Sequence, residues 1–189
     1  MLIFIVIFCV IVALGFGLAS AWSDFKGFTI SNAYSIGVIL AFIPAFLAVF
    51  FLAPDVVYFA SWKSHLIAAA VMFAVTFVLF TLHMIGAGDS KLATAYALWL
   101  GVMGIPSFLF YMTVMGGVLG LATLALRRWK PFKSPPEGGW LARAQAGSSE
   151  VPYGIAIVVG AIVAFVQSGY FDPEHLAALI QTTEQAAAL

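Results

Sequence analysis

The chain alternates long apolar runs with short polar segments, and most of the runs have the length of a membrane span. A bilayer core takes about 20 apolar residues per helix. Helices are required because lipid offers no partner to free backbone N–H and C=O groups. The pattern predicts six spans, at about residues 2–21, 33–53, 64–85, 92–103, 106–126 and 152–170. The predicted fold is therefore all-α, a polytopic membrane helix bundle in which residues 1–189 form a single domain.

Composition supports the membrane assignment. Of the 189 residues, 63% are hydrophobic and 8% are charged, whereas soluble domains carry about 25% charged residues. The formal net charge of zero argues against nucleic acid as a partner. The single cysteine, Cys9, excludes an internal disulfide and any cysteine-rich zinc site. The expected surroundings are thus a lipid bilayer.

The distribution of Lys and Arg predicts the orientation of the bundle, because basic residues accumulate on the cytoplasmic side of membrane proteins. With six spans, the connecting loops alternate between the two sides. One side then carries Lys26, Lys91, Arg127, Arg128, Lys130, Lys133 and Arg143, and the other carries Lys63 with Asp55, Asp172, Glu174 and Glu184. We expect the basic side to face the cytoplasm and both termini to lie outside.

Two acidic residues follow apolar spans on the predicted cytoplasmic side. Asp24 follows the first span, and Asp89 follows the third. The second and third spans form an out-and-back hairpin, which returns Asp89 to the face where Asp24 lies. Two carboxylates that approach each other in a low-dielectric site cannot both ionise cheaply, so one keeps a proton. Such a coupled pair can hydrolyse a peptide, the ionised acid activating water and the protonated acid polarising the carbonyl.

Other interpretations of these residues remain open. An Asp near a helix end is often a cap or a boundary residue, although an acid between two apolar spans is typically functional. Gly86 and Gly88 can end a helix and let a substrate backbone approach. Lys26 and Lys91, each two residues beyond an Asp, can bias its ionisation or mark the boundary. His83, just before these glycines, either faces the site or bonds to a neighbouring helix.

Three short motifs resemble those of the prepilin peptidase (type IV leader peptidase) family. Gly86-Ala87-Gly88-Asp89-Ser90-Lys91-Leu92 matches the GxGD signature of membrane aspartyl proteases in its leader peptidase form. Asp24-Phe25-Lys26, with Ile30 and Asn32, resembles the family's first-aspartate motif. Val151-Pro152-Tyr153-Gly154 resembles the start of the family's last span. The motifs occur in the expected order and extend over nearly the whole chain.

The resemblance implies that Asp24 and Asp89 are a catalytic pair. It implies cleavage of the short basic leader of pilin-like precursors at the cytoplasmic face of the plasma membrane, without a metal or an organic cofactor. The remaining motif residues would bind substrate or shape the site, namely Gly86, Gly88, Lys26, Lys91, Asn32, Pro152, Tyr153 and Gly154.

One departure from the longer family members concerns methylation. Those proteins carry a cytoplasmic N-methylation region between the first spans, often with paired CxxC motifs. This chain reaches Asp24 directly after its first span and has one cysteine, so it resembles the short form of Flp/Tad pilus systems or archaeal preflagellin peptidases. We therefore expect peptidase activity without methyl transfer.

Two other classes of protein would account for the same pattern. A small ion-coupled transporter would use the two acids to bind ions, which favours acids near the bilayer midplane beside discontinuous helices. A structural membrane component of a pilus or secretion assembly would carry the acids only as boundary residues.

Overall fold

The computed structural model describes residues 1–54, 59 and 61–187. Every regular element in this part of the chain is a helix. The helices are α1 (Leu2–Gly27), α2 (Asn32–Leu52), α3 (Trp62–Thr81), α4 (Ala87–Trp129), α5 (Trp140–Gln145), α6 (Tyr153–Gln167) and α7 (Pro173–Ala187).

Within the described ranges, α1 to α4 are long and apolar enough to cross a membrane, and α6 is a shorter apolar helix. The prediction of an all-α, multi-pass membrane bundle is therefore confirmed. The number of six crossings and the outside location of the termini stay predictions. Asp55, which was assigned to the outer side, lies outside the described residues.

Helix α4 is interrupted at Gly101, where φ is 62° and ψ is 179°. The 43 residues of α4 would form a straight rod of about 65 Å at 1.5 Å per residue, roughly twice the thickness of a bilayer core. The apolar pattern predicted this division three residues later, at Gly104 and Ile105. Only glycine adopts such backbone angles readily, because it has no Cβ.

The two parts of α4 run in opposite directions along α6. At one end of α6, Gly116 lies against Tyr153, and Tyr153 lines a cavity together with Asp89. At the other end, Gly104 lies against Ser168. The chain thus crosses the bundle from Asp89 to Gly101 and returns from Gly104 to Gly116, as expected for the fourth and fifth predicted spans.

Side chains from neighbouring elements satisfy the backbone groups that the interruption releases. His65 Nδ1 donates to the Leu98 carbonyl at 2.7 Å, and the Tyr170 hydroxyl donates to the Trp99 carbonyl. The Val102 N–H donates to Ser64 Oγ at 3.0 Å. These bonds are needed because an unpaired backbone group in an apolar interior costs about as much as a lost hydrogen bond.

Two large side chains of the core carry a polar atom that bonds to backbone. Trp99 is fully buried, and its Nε1–H donates to the Val38 carbonyl at 2.9 Å. Tyr96 is equally buried, and its hydroxyl donates to the Ala13 carbonyl at 3.0 Å. These two bonds fix the first part of α4 against α2 and α1, and with it the position of Asp89 at the start of the helix.

Replacing Gly101 with alanine should destabilise the protein by about 1–3 kcal/mol, because a Cβ is strained at this backbone conformation. The measurement is the thermal midpoint of tryptophan fluorescence in detergent. Gly117→Ala is the matched control, since this helical glycine faces open space and alanine favours a helix by up to about 1 kcal/mol. A midpoint for Gly101→Ala at or above that of the control would contradict the assigned role.

Candidate active site

Asp24 lies in the last turn of α1 and is 5% exposed. Its Oδ2 accepts a 2.8 Å hydrogen bond from the backbone N–H of Gly154, in the first turn of α6. Helix N-termini carry free N–H groups and the positive end of the helix dipole, so they stabilise a carboxylate. The contact joins residues that are 130 positions apart and fixes the end of α1 against the start of α6.

Asp89 lies in the first turn of α4 and acts as a cap for that helix. Its Oδ2 accepts a 3.0 Å hydrogen bond from the N–H of Gly86. Its Oδ1 is buried and has no hydrogen-bond partner among the described residues. Asp89 is thus held at a helix N-terminus through one oxygen only.

The two acids line one cavity of about 400 Å³. The rest of the wall consists of Phe28, residues 83–86, residues 149–151 and Tyr153. The charge of Asp24 acts on the Asp89 carboxyl, so the two groups interact electrostatically. The structure therefore brings together the pair that sequence analysis selected, although 64 residues separate them in the chain.

The predicted glycines lie where another residue approaches the backbone closely. A Cβ on Gly154 would lie 3.0 Å from Asp24 Oδ2, and one on Gly86 would lie 2.9 Å from Asp89 Oδ2. The space beside Gly88 is taken by Ile30, whose Cβ would lie 2.7 Å from an added methyl group. Gly86 lines the cavity itself, whereas Gly88 and Gly154 let the supporting elements pack beside it.

Both predicted lysines lie outside the cavity lining. Lys91 donates to Asn32 Oδ1 at 2.8 Å, a contact that ties the start of α4 to the start of α2. The Lys26 ammonium lies 4.7 Å from the centre of the Trp22 ring, in a separate groove. Pro152 is the residue that precedes the first turn of α6.

His83 lines the cavity, which is the first of the two positions considered for it. The third span was predicted to reach residue 85, but α3 ends at Thr81. His83 then adopts a left-handed backbone conformation with φ 58°, and the N–H of Met84 reaches back to the Leu79 carbonyl at 2.9 Å. This turn directs residues 83–86 to the cavity.

Several cavity residues were not predicted. Phe28, Ser149 and Glu150 each lie next to a recognised motif, and that adjacency was the only sequence signal for them. Arg143 forms a 2.9 Å ion pair with Glu150, and its guanidinium lies 4.9 Å from the centre of the Phe28 ring. These contacts hold the cavity residues 149–151, which follow α5, against the end of α1.

A second unpredicted contact is a hydrogen bond at Ser90, the residue that follows Asp89. Ser90 and Thr76 are both buried, and their hydroxyl groups are 2.8 Å apart. Thr76 also donates to the Met72 carbonyl. The bond fixes the first turn of α4 to α3, and no motif in the sequence points to Thr76.

The fold and the site together define a multi-pass helical membrane protein with two interacting carboxyl groups in a cavity at one end of the bundle. A model of the type IV leader peptidase family matches residues 2–121, which is more than half of the chain and includes Asp24 and Asp89. The chain belongs to this family and is a leader peptidase-like protease. Searches of curated proteins and of solved structures gave no match.

Replacing Gly154 with alanine should lower hydrolysis of a leader-bearing precursor by about tenfold or more. The added methyl group would crowd Asp24 Oδ2, Asp24 Cβ and Ile30 Cδ1, all within 3.1 Å, and a displacement of about 1 Å at a catalytic group can cost about a hundredfold in rate. The initial cleavage rate is the measurement. Gly120→Ala, where a Cβ meets open space, should cleave at the wild-type rate, and equal rates in the two variants would contradict the prediction.

Proposed function

We propose that this protein is an aspartic endopeptidase that removes the short basic leader of pilin-like precursors at the cytoplasmic face of the membrane. Asp24 and Asp89 are the catalytic pair. The observation that carries the proposal is their shared cavity, where each carboxyl is held by the N-terminus of a different helix. The family match is in line with this reaction class.

The pair carries one proton in the resting enzyme. Asp89 holds it, because a charged carboxyl would leave its buried Oδ1 without a hydrogen-bond partner among the described residues. Asp24 is the ionised acid, stabilised by Gly154 N–H and the start of α6. Asp24 takes a proton from water, the water oxygen bonds to the scissile carbon, and Asp89 donates its proton to the carbonyl oxygen.

The second half of the reaction returns the pair to its starting state. The tetrahedral intermediate collapses, the C–N bond breaks, and the proton on Asp24 moves to the departing amine nitrogen. The hydroxyl proton of the intermediate returns to Asp89 as the new carboxyl group forms. Water is thus divided between the two products, and no proton is gained or lost by the pair.

Charge within the cavity suits a basic leader. Of the three acids in the lining, Asp24 is ionised, Asp89 holds the shared proton, and Glu150 is paired with Arg143. The negative charge that remains in the cavity is that of Asp24. A cationic segment beside the scissile bond would therefore meet a negative potential, which raises the local concentration of such a substrate.

The cytoplasmic placement rests on the charge distribution. Lys91, Arg143 and the acid pair lie at the same end of the bundle. Lys63 precedes Ser64, which bonds to Val102 at the opposite end. By the positive-inside rule, this distribution of basic residues favours an orientation in which the cavity faces the cytoplasm.

The transporter alternative receives no support from the interrupted helix. The interruption at Gly101 is surrounded by His65, Ser64 and Tyr170. The acids lie at the other end of the bundle, where α4 begins and α1 ends. Ion coupling would favour acids beside the interruption.

Asp24→Asn and Asp89→Asn should each lower leader cleavage by at least about a hundredfold, because general acid–base catalysis contributes about 10²–10⁴ to the rate. Both variants keep the shape of the side chain, so membrane insertion should be unchanged. The experiment follows a pilin-like precursor co-expressed with each variant, by the mobility shift that leader removal causes.

Glu174→Gln serves as the control, because Glu174 is an exposed acid in α7. It should cleave at the wild-type rate. Wild-type cleavage by either Asp variant would rule out the pair and favour a structural role for both acids.

The cleaved product should carry an unmodified N-terminus. We expect this result because the chain resembles the short form of the family, which lacks the methylation region. Mass spectrometry of a precursor incubated with the purified protein and a methyl donor measures this directly. A product heavier by one methyl group, formed by this protein alone, would refute the expectation.

A further inference from the structure

A second concave surface lies beside the catalytic cavity and shares no lining residue with it. This aromatic groove has a volume of about 260 Å³. Trp22, Phe25 and Lys26 of α1 form one wall. The other wall consists of Pro136, Glu137, Gly139, Trp140 and Leu141. The proposed peptidase reaction makes no use of it.

The apolar walls of the aromatic groove are held in place by packing. The Trp22 and Phe25 rings are stacked with centroids 5.8 Å apart, and Phe25 meets the edge of Trp140 at 5.9 Å. Trp140 is buried, and its Nε1–H donates to Thr123 Oγ1 at 2.9 Å. Gly139 packs on the end of α1, where a Cβ would lie 3.4 Å from the Lys26 carbonyl oxygen. The groove is thus formed before any occupant arrives.

Two opposite charges line this apolar surface without pairing with each other. Lys26 and Glu137 are both exposed, and the structure records no ion pair between them within 4 Å. The Lys26 ammonium is held over the Trp22 ring at 4.7 Å. An occupant that carries one negative and one positive group could therefore satisfy both side chains.

The position of the groove along α1 indicates that its occupant lies at the membrane surface. Helix α1 is a candidate membrane span that ends at Gly27, so Trp22 and Lys26 lie where the helix leaves the bilayer. Trp22 is 58% exposed there. Tryptophan and lysine at this level are typical of the boundary between acyl chains and head groups.

We propose that the aromatic groove binds one phospholipid with an ethanolamine head group. Lys26 binds the phosphate, Glu137 accepts hydrogen bonds from the ammonium, and an acyl chain lies along Trp22 and Leu141. A primary ammonium donates to a carboxylate in a charge-assisted bond, which a quaternary choline nitrogen cannot do because it has no N–H. A glycerol head group would leave Glu137 facing a net negative lipid.

A peptide is a poorer match for the same walls. An extended peptide backbone needs partners for its N–H and C=O groups, and burying them unpaired is costly. The lining of the groove is predominantly apolar side chain, with its charges at Lys26 and Glu137. An acyl chain has no polar groups that need hydrogen-bond partners, so it can be buried there without this cost.

The test uses the full-length protein, purified in detergent and stripped of lipid. It is mixed with phosphatidylethanolamine, phosphatidylglycerol or phosphatidylcholine of identical acyl chains, and retained lipid is counted by native mass spectrometry. The wild type should retain the ethanolamine lipid about fivefold better than either other lipid, since a juxtamembrane charge contact is worth about that factor. Cleavage activity plays no part in the readout.

Two charge-neutralising variants separate the two contacts. Glu137→Gln should abolish the preference for ethanolamine over glycerol, and Lys26→Gln should lower retention of both lipids about fivefold. Lys133→Gln and Glu174→Gln are the controls, because neither residue lines the groove, and both should retain the three lipids as the wild type does.

Equal retention of the three lipids by the wild type would overturn the proposal, as would an unchanged preference in Glu137→Gln. A third result would also overturn it. If both groove variants keep their lipid but bind the precursor more weakly, the groove serves the peptide instead.

Discussion

The main constraint on this molecule is the burial of two interacting carboxyl groups in an apolar bundle. The hydrogen bond from Gly154 N–H to Asp24 Oδ2 lowers the free-energy cost of burying one of them. A buried ionised group costs several kcal/mol unless it is paired. The described part of the chain places no lysine or arginine against either acid and uses helix N-termini instead. Asp24 is held by the start of α6, and Asp89 by the start of its own helix. A backbone donor stabilises the charge of a buried carboxyl without placing a second charged side chain in the cavity.

This arrangement requires α1, α4 and α6 to meet at one end of the bundle, and the interruption at Gly101 makes the meeting possible. Because α4 reverses there, its second part runs back along α6 and brings Gly116 against Tyr153. The second part of α4 therefore packs against the start of α6, the same turn that donates the hydrogen bond to Asp24. The side chains that satisfy the interruption, His65 and Tyr170, therefore contribute to the site from the opposite end of the bundle.

Much of this arrangement could be predicted, because hydrophobic period and charge asymmetry are encoded locally. The two apolar runs between Asp24 and Asp89 are enough to predict that both acids lie at the same end of the bundle, and both line one cavity. The division of α4 was misplaced by three residues, because the apolar run continues through Gly101 and only its backbone angles mark the reversal. Thr76 and Glu150 could not be found, since their contacts depend on how α3 and the segment after α5 pack in three dimensions.

The positions of the two lysines show what helix geometry adds to a motif. Successive residues on an α-helix are rotated by about 100°, so a residue two positions beyond an Asp points to nearly the opposite side of the helix. Asp24 consequently faces α6 while Lys26 lies over Trp22, and Asp89 faces the cavity while Lys91 bonds to Asn32. One turn of α1 thus presents a carboxyl group to the cavity that Asp89 also lines, and an ammonium group to the aromatic groove. Any contact that Lys26 makes with its surroundings acts on the same turn of α1 that positions Asp24, so the aromatic groove and the candidate active site are physically linked.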